Sequence, residues 1–187
     1  MTPFRAKSNP HMLIVGMTSV KMGDRLVQVG CSDGAALAAV AAKVGLSGQA
    51  IAVVPDTDAA VRVRRGAERA GVLIETEIAP AHALPLDAAT FDLVIVDDGA
   101  GEFAAMDRDS QVAAVREAVR VLQPGGRVLA VSGTKASGLS ALLGRGSSAP
   151  VFDAIPALEA GGCRFVRVLG EREGLRFVEG VKARASS

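Results

Sequence analysis

The sequence predicts an α/β fold: a doubly wound, mostly parallel sheet of seven strands that closes with an antiparallel C-terminal strand pair. Three observations carry this. Short β-rich apolar runs alternate with segments of helical periodicity from Arg25 to Val131. Several of those runs are almost wholly apolar, the mark of parallel strands covered on both faces. After Cys163 the pattern changes to two strand-like runs joined by a glycine-flanked turn.

The elements follow in order. Arg25 to Val29 reads as a strand ending at Gly30, and a helix from about Gly34 to Val44 carries Leu37, Val40, Ala41 and Val44 on one face. Gly45 and Gly48 stop it. Ala50 to Val54 is the second strand. Asp56 and Asp58 offer N-caps for a helix that runs to Ala70 and closes at Gly71. Leu73 to Ile78 is the third strand. Phe91 to Val96 is the fourth, broken by Asp97-Asp98-Gly99. A helix from Ser110 to Leu122 has Val112, Val115, Val119 and Leu122 on one stripe, and Gln123-Pro124-Gly125-Gly126 ends it before a fifth strand, Arg127 to Val131. Gly133 to Pro150, rich in Gly and Ser, reads as a connection or a short helix near Ser140 to Leu143. Val151 to Ala160 reads as a helix with a kink or restart at Pro156. Arg164 to Leu169 and Leu175 to Val181 pair around the turn Gly170 to Gly174.

Length and composition bound the function. The 187 residues suit one domain, read as an arm over 1–22, a domain over 23–182 and a tail over 183–187. With 49% hydrophobic and 22% charged residues, the chain is not dominantly disordered. Lys plus Arg number 21 against 20 Asp plus Glu, and Trp and Tyr are absent. Nucleic acid is therefore a disfavoured partner, lacking both basic excess and stacking platforms. No apolar run reaches the roughly 18 residues of a membrane span. Met1 to Pro10 does not read as a secretory signal, so the expected compartment is the cytoplasm. Cys31 and Cys163 read as two buried thiols, and isolated His11 and His82 give no metal cluster.

Ligands of an open parallel sheet bind beyond the C-terminal strand ends, which aligns Gly30, Val54, Pro80 and Asp97 along one rim. Val27-Gln28-Val29-Gly30-Cys31-Ser32-Asp33-Gly34 is neither the Gly-x-Gly-x-x-Gly dinucleotide fingerprint nor a phosphate loop. Asp97 and Asp98 are candidates for a general base or an orienting carboxylate; solvation or capping near Gly99 is the structural alternative. His82 suits stacking on a base or simple exposure. Arg62, Arg64, Arg65 and Arg69 form either a solvated face or a contact for an acidic partner.

These segments resemble, in order, the class I S-adenosylmethionine-dependent methyltransferases of the small quinone and sterol methylase type. Gly23 to Gly34 is similar to the family's first motif. Ala83-Leu84-Pro85-Leu86-Asp87 with Phe91-Asp92-Leu93-Val94 is similar to the approach to its fourth strand. Val115 to Arg127, through Leu122-Gln123-Pro124-Gly125-Gly126, is similar to its helix, turn and fifth strand. The resemblance implies a Rossmann-like fold, S-adenosylmethionine as cofactor with no metal, and methyl transfer to an unspecified acceptor. It implies cofactor contacts at Gly30, Ser32, Asp33, Gly34, Val54, Asp56, Ala81, His82 and Asp97. Gln28, Val54 and Pro80 stand where the family usually has acids, and Ser32 where it has glycine. Backbone amides from Ser32 to Gly34 are expected to stay available to a ligand. The alternative is a catalytically inactive, structural or regulatory subunit. The apolar Met12-Leu13-Ile14-Val15 run is expected to cover the acceptor side or to form an interface with a protein partner or a second copy.

Overall fold

The computed structural model describes residues 10–134 and 151–184. Seven strands form one sheet in the order β3-β2-β1-β4-β5-β7-β6. They are β1 (Arg25–Val29), β2 (Gln49–Val54), β3 (Glu75–Ile78), β4 (Phe91–Asp98), β5 (Leu122–Gly133), β6 (Arg164–Arg172) and β7 (Leu175–Val181). β1 pairs in parallel with both β2 and β4, so the strand order reverses at β1 and its C-terminal end opens at the switch point. β7 runs antiparallel to β5 and to β6.

Three helices cover one face: α1 (Pro10–Thr18), α2 (Gly34–Val44) and α3 (Thr57–Ala70). Their core holds Val15, Leu37, Val40, Val54, Val63, Leu93, Leu129 and Phe177. The other face is covered by α5 (Arg108–Val121) and α6 (Ala154–Ala160), over Val27, Val53, Phe91, Val94, Val115, Val128 and Leu158. Side chains of successive residues along β1, β2 and β4 fall alternately into these two cores, as the pleat requires. A short α4 (Glu102–Ala105) bridges β4 and α5.

Several boundaries differ from the sequence expectation, each for a local reason. β3 starts at Glu75, because Leu73 stands outside the sheet with its side chain in solvent. β4 continues through Asp97 and Asp98, which pair with Val131 and Ser132 of β5. Polar side chains did not end that strand because the neighbouring ladder was still open. β5 begins at Leu122, immediately after α5. Pro156 makes no kink: it lies in the first turn of α6, where a missing N–H is not needed. The β6–β7 turn narrows to Glu173-Gly174, with Gly174 at φ +78°. The expected element near Ser140 to Leu143 lies outside the described residues.

The apolar N-terminal run is α1. Val15 is buried, and Leu13, Ile14 and Met17 are half-buried against α2 and the β5–β7 part of the sheet, while Met12 points outward. Thr18 O at the helix end accepts from Arg127, whose guanidinium also pairs with buried Glu179. Burial pushes the Glu179 carboxyl up, but hydrogen bonds from Arg127 and Arg167 outweigh it and hold the group below its ordinary value.

Candidate functional site

At the switch point the chain leaves β1 through Gly30, at φ +80°. A Cβ there would stand 2.6 Å from the backbone oxygen of Asp97, so only glycine lets the ends of β1 and β4 come this close. Gln28, buried one residue before the end of β1, donates from Nε2 to Gly30 O at 3.1 Å and to Asp97 Oδ2 at 3.2 Å.

Asp97 is the hub. Its Oδ2 accepts from the Ser32 backbone N–H at 2.8 Å, and its Oδ1 accepts from the Gly99 N–H at 2.9 Å. The Ser32 hydroxyl lies 2.8 Å from both oxygens. This corrects the expectation that the Ser32 amide is free for a ligand: Asp97 already holds it. Ser32 itself binds Asp97, and the loop closes as a latch between the first and fourth strands.

The latch requires a carboxylate. Both oxygens take a backbone donor, and asparagine would have to turn its NH2 toward one of them. Asp97→Asn is expected to lower stability by about 1–2 kcal/mol, the penalty of stranding a part-buried backbone donor. Urea unfolding should show a lower midpoint at unchanged slope.

Asp98 faces the other way. It accepts from Phe103 N at 2.7 Å and Ala104 N at 3.1 Å, and so fixes α4. Burial pushes its carboxyl above the ordinary value, while those two backbone donors pull against the rise. The two candidate acids thus both work within the scaffold, Asp97 on the glycine turn and Asp98 on α4.

The structure adds a residue that the sequence did not suggest. Glu102, the first residue of α4, is half-buried, and its Oε2 lies 3.3 Å from where a Gly30 Cβ would be. Burial first, then the charges of Asp56 and Asp97, raise its pKa; Arg62 opposes them. The only sequence signal was an acid placed after Gly99-Ala100-Gly101, with no periodicity to mark it.

The other candidates divide. Asp33 caps α2, accepting from Ala35 N at 2.8 Å, and stands 3.7 Å from His11 Nδ1. Gly34 is required by packing, since a Cβ would meet Arg62 O at 2.0 Å. Asp56 caps α3 through Oδ1, accepting from Ala59 N at 2.8 Å, and this uses one carboxylate oxygen. Val54 is corrected: it ends β2, but its side chain is wholly buried with Ala59, Ala60 and Val63. The exposed residues at that point of the rim are Pro55 and Asp56. Ala81 and exposed His82 sit in the loop after β3. That loop is pinned to α5, where Glu117 accepts from Leu84 N and Arg120 donates to Leu84 O and Leu86 O. Among the described residues, no hydrogen bond joins Ala81 or His82 to the Asp97 centre.

Arg62 leaves the basic face of α3 to donate to Cys31 O at 3.1 Å. Arg64, Arg65 and Arg69 stay in solvent. Burial, then the charge of Asp97, pushes the Cys31 thiol up to about 12, and burial does the same for Cys163. Neither thiol is a nucleophile in the folded chain. Two hollows flank the centre at a distance. One of about 420 Å³ lies at the opposite end of the sheet, lined by Val44, Leu46, Ala50, Val72 and Leu73. The other, about 540 Å³, lies on the same rim beyond β5, lined by Gly133, Thr134, Phe152, Asp153, Arg172 and Arg176.

Comparison with known proteins agrees with this layout. A family model described as a methyltransferase domain matches residues 26–126, more than half of the chain. Among solved structures, an S-adenosylmethionine-dependent methyltransferase from Aquifex aeolicus is 17% identical at a TM-score of 0.71, covering 92% of this chain and 89% of that one. An S-adenosylmethionine-dependent O-methyltransferase from Thermotoga maritima is 14% identical at 0.67, covering 96% and 67%. A [4+2]-cyclase, SpnF, is 16% identical at 0.67, covering 94% and 80%, so the fold also carries other chemistry. No curated protein matches the chain. With the matched segment spanning β1 to the turn before Arg127, and the glycine turn at the strand-order switch, the chain belongs to the class I S-adenosylmethionine-dependent methyltransferase family.

Proposed function

We propose that this chain binds S-adenosylmethionine on the rim formed by Gly30, Asp56, Asp97 to Gly99 and Glu102, and is a methyltransferase for an acceptor that enters from the hollow beyond β5. The observation that supports this most is the charge of the rim. Asp56, Asp97 and the buried Asp98 lie close enough to Glu102 to act on its charge, and among the described residues Arg62 is the guanidinium that opposes them. Such a set of acceptors fits a ligand with a sulfonium, an ammonium and vicinal hydroxyls. It repels the phosphates of a dinucleotide or a nucleoside triphosphate.

When bound, the cofactor supplies a methyl group on a cationic sulfur. The residues of this chain hold and orient. Asp97 fixes the glycine turn, and Asp98 fixes α4. Asp56 keeps one carboxylate oxygen beyond its cap for a hydroxyl donor. Both aspartates at the end of β4 are occupied by backbone donors, so no free general base stands there. Methyl transfer to a nucleophilic acceptor depends mainly on proximity and orientation, which this scaffold provides.

A second reading is an inactive subunit that keeps the fold. It is favoured by the latch, which satisfies the Ser32 amide internally, and by the apolar Val54 at the end of β2. Calorimetric titration with S-adenosylmethionine and S-adenosylhomocysteine separates the two readings. Micromolar binding is the expected result. No heat with millimolar cofactor would overturn the methyltransferase reading and favour the subunit.

A further inference from the structure

Resting on the proposal that the chain binds S-adenosylmethionine, we propose that Glu102 recognises the positive charge of the methyl donor, and so distinguishes the donor from its uncharged demethylated product. The four rim carboxylates are not equivalent. Asp97 accepts from two backbone N–H groups, Ser32 Oγ and Gln28. Asp98 accepts from Phe103 and Ala104, and Asp56 from Ala59. Among the described residues, no hydrogen bond reaches the Glu102 carboxylate, although it is half-buried and set directly over the Gly30 turn.

Its support is firm. The α4 turn that presents it is held by Asp98 at two amides. Gln111 Nε2 donates to Phe103 O at 2.8 Å and to Met106 O at 3.2 Å. Phe103, the next residue, is buried with its ring 5.5 Å from that of Phe152. A carboxylate presented by so firmly held a turn, yet left among like charges, is costly to the free protein and is relieved by a cation. Its elevated pKa has that origin, burial and the fields of Asp56 and Asp97 outweighing Arg62.

The two ligands test the charge directly. S-adenosylmethionine carries a sulfonium, an ammonium and a carboxylate, and so has one net positive charge. Loss of the methyl converts the sulfonium to a neutral thioether, and S-adenosylhomocysteine has none. An anion at Glu102 attracts the first more than the second and weakens its hold once the methyl has left.

The experiment is calorimetric titration of the whole chain and of Glu102→Gln and Glu102→Asp with each ligand, beside thermal unfolding without ligand. In Glu102→Gln the affinity for S-adenosylmethionine is expected to fall on the order of tenfold, the range of a lost charge-assisted contact. S-adenosylhomocysteine affinity is expected to change less than about threefold, well inside that range. Glu102→Asp, which keeps the charge, should retain the preference for the donor. The unfolding midpoint of ligand-free Glu102→Gln should hold or rise. Equal weakening of both ligands, tighter binding of both, or no change overturns the proposal. If the unaltered chain binds neither ligand, the reading of the rim as an S-adenosylmethionine site fails, and this inference fails with it.

Discussion

Gly66→Ala is expected to lower stability by about 3 kcal/mol or more, at the upper end of overpacking effects. A Cβ at Gly66 would lie 2.1 Å from Gly34 O and 2.3 Å from Gly34 C. The contact is reciprocal, since a Cβ at Gly34 would lie 2.0 Å from Arg62 O. All these atoms are backbone, so no rotamer change relieves the clash and α2 and α3 must move apart. That movement carries Asp56 and Arg62 with it, and Arg62 is tied to Cys31 O. Cofactor binding should therefore weaken together with stability. Gly16→Ala is the control: its Cβ meets nothing within 4 Å in α1, and the gain in helix propensity should stabilise by about 0.5–1 kcal/mol. Urea titrations of both variants check the pair. An unchanged midpoint for Gly66→Ala would show that the two helices can separate freely.

Val54→Asp is expected to cost about 4 kcal/mol, although by alignment it restores the family's acid at the end of β2. The side chain is 0% exposed and sits among Ala59, Ala60 and Val63. Removing Val from that core forfeits about 2 kcal/mol of apolar burial. The carboxyl put in its place has no donor and must neutralise or force the helix away, which adds about 2 kcal/mol. The variant should unfold at markedly lower urea, and calorimetry should show no gain in S-adenosylmethionine affinity. A stable variant with tighter binding would put the ribose side of the site at Val54 instead of Asp56.

Val54 shows where sequence reading stopped. The strand, the glycine at its neighbour's end and the helix behind it were legible because each depends on local chemistry: pleat alternation, a left-handed turn, and caps at Asp56 and Gly71. The apolar run from Ala50 also located the end of β2 at Val54. It could not say which way the last side chain points, because that is settled by how α3 leans on the sheet. Asp97 was legible as a rim residue. That it accepts from Ser32 follows from the pairing of β1 with β4, which lie far apart in sequence. Glu102 was not legible at all. Its importance comes from an α4 of four residues, too short to carry a periodic signal, folded back over Gly30 by Asp98.

The strand order also sets a timetable for folding. β1 can pair with β2 early, but its other edge waits for β4, whose first partner residue, Leu93, lies far down the chain from Leu26. β5 waits likewise for β7, with Arg127 opposite Val181. Until those late partners arrive, β1 and β5 each present an unpaired edge beside a buried apolar stretch, Leu26-Val27 and Val128 to Val131, the kind of surface that drives aggregation in slow-folding parallel sheets. The finished sheet hides that hazard: its outermost strand β3 is short and carries Glu75 and Glu77, and β6 carries Arg164, Arg167 and Arg172. The vulnerable moment of this molecule is thus kinetic. It falls between the closure of the first half of the sheet and the docking of β4 in the gap beside it.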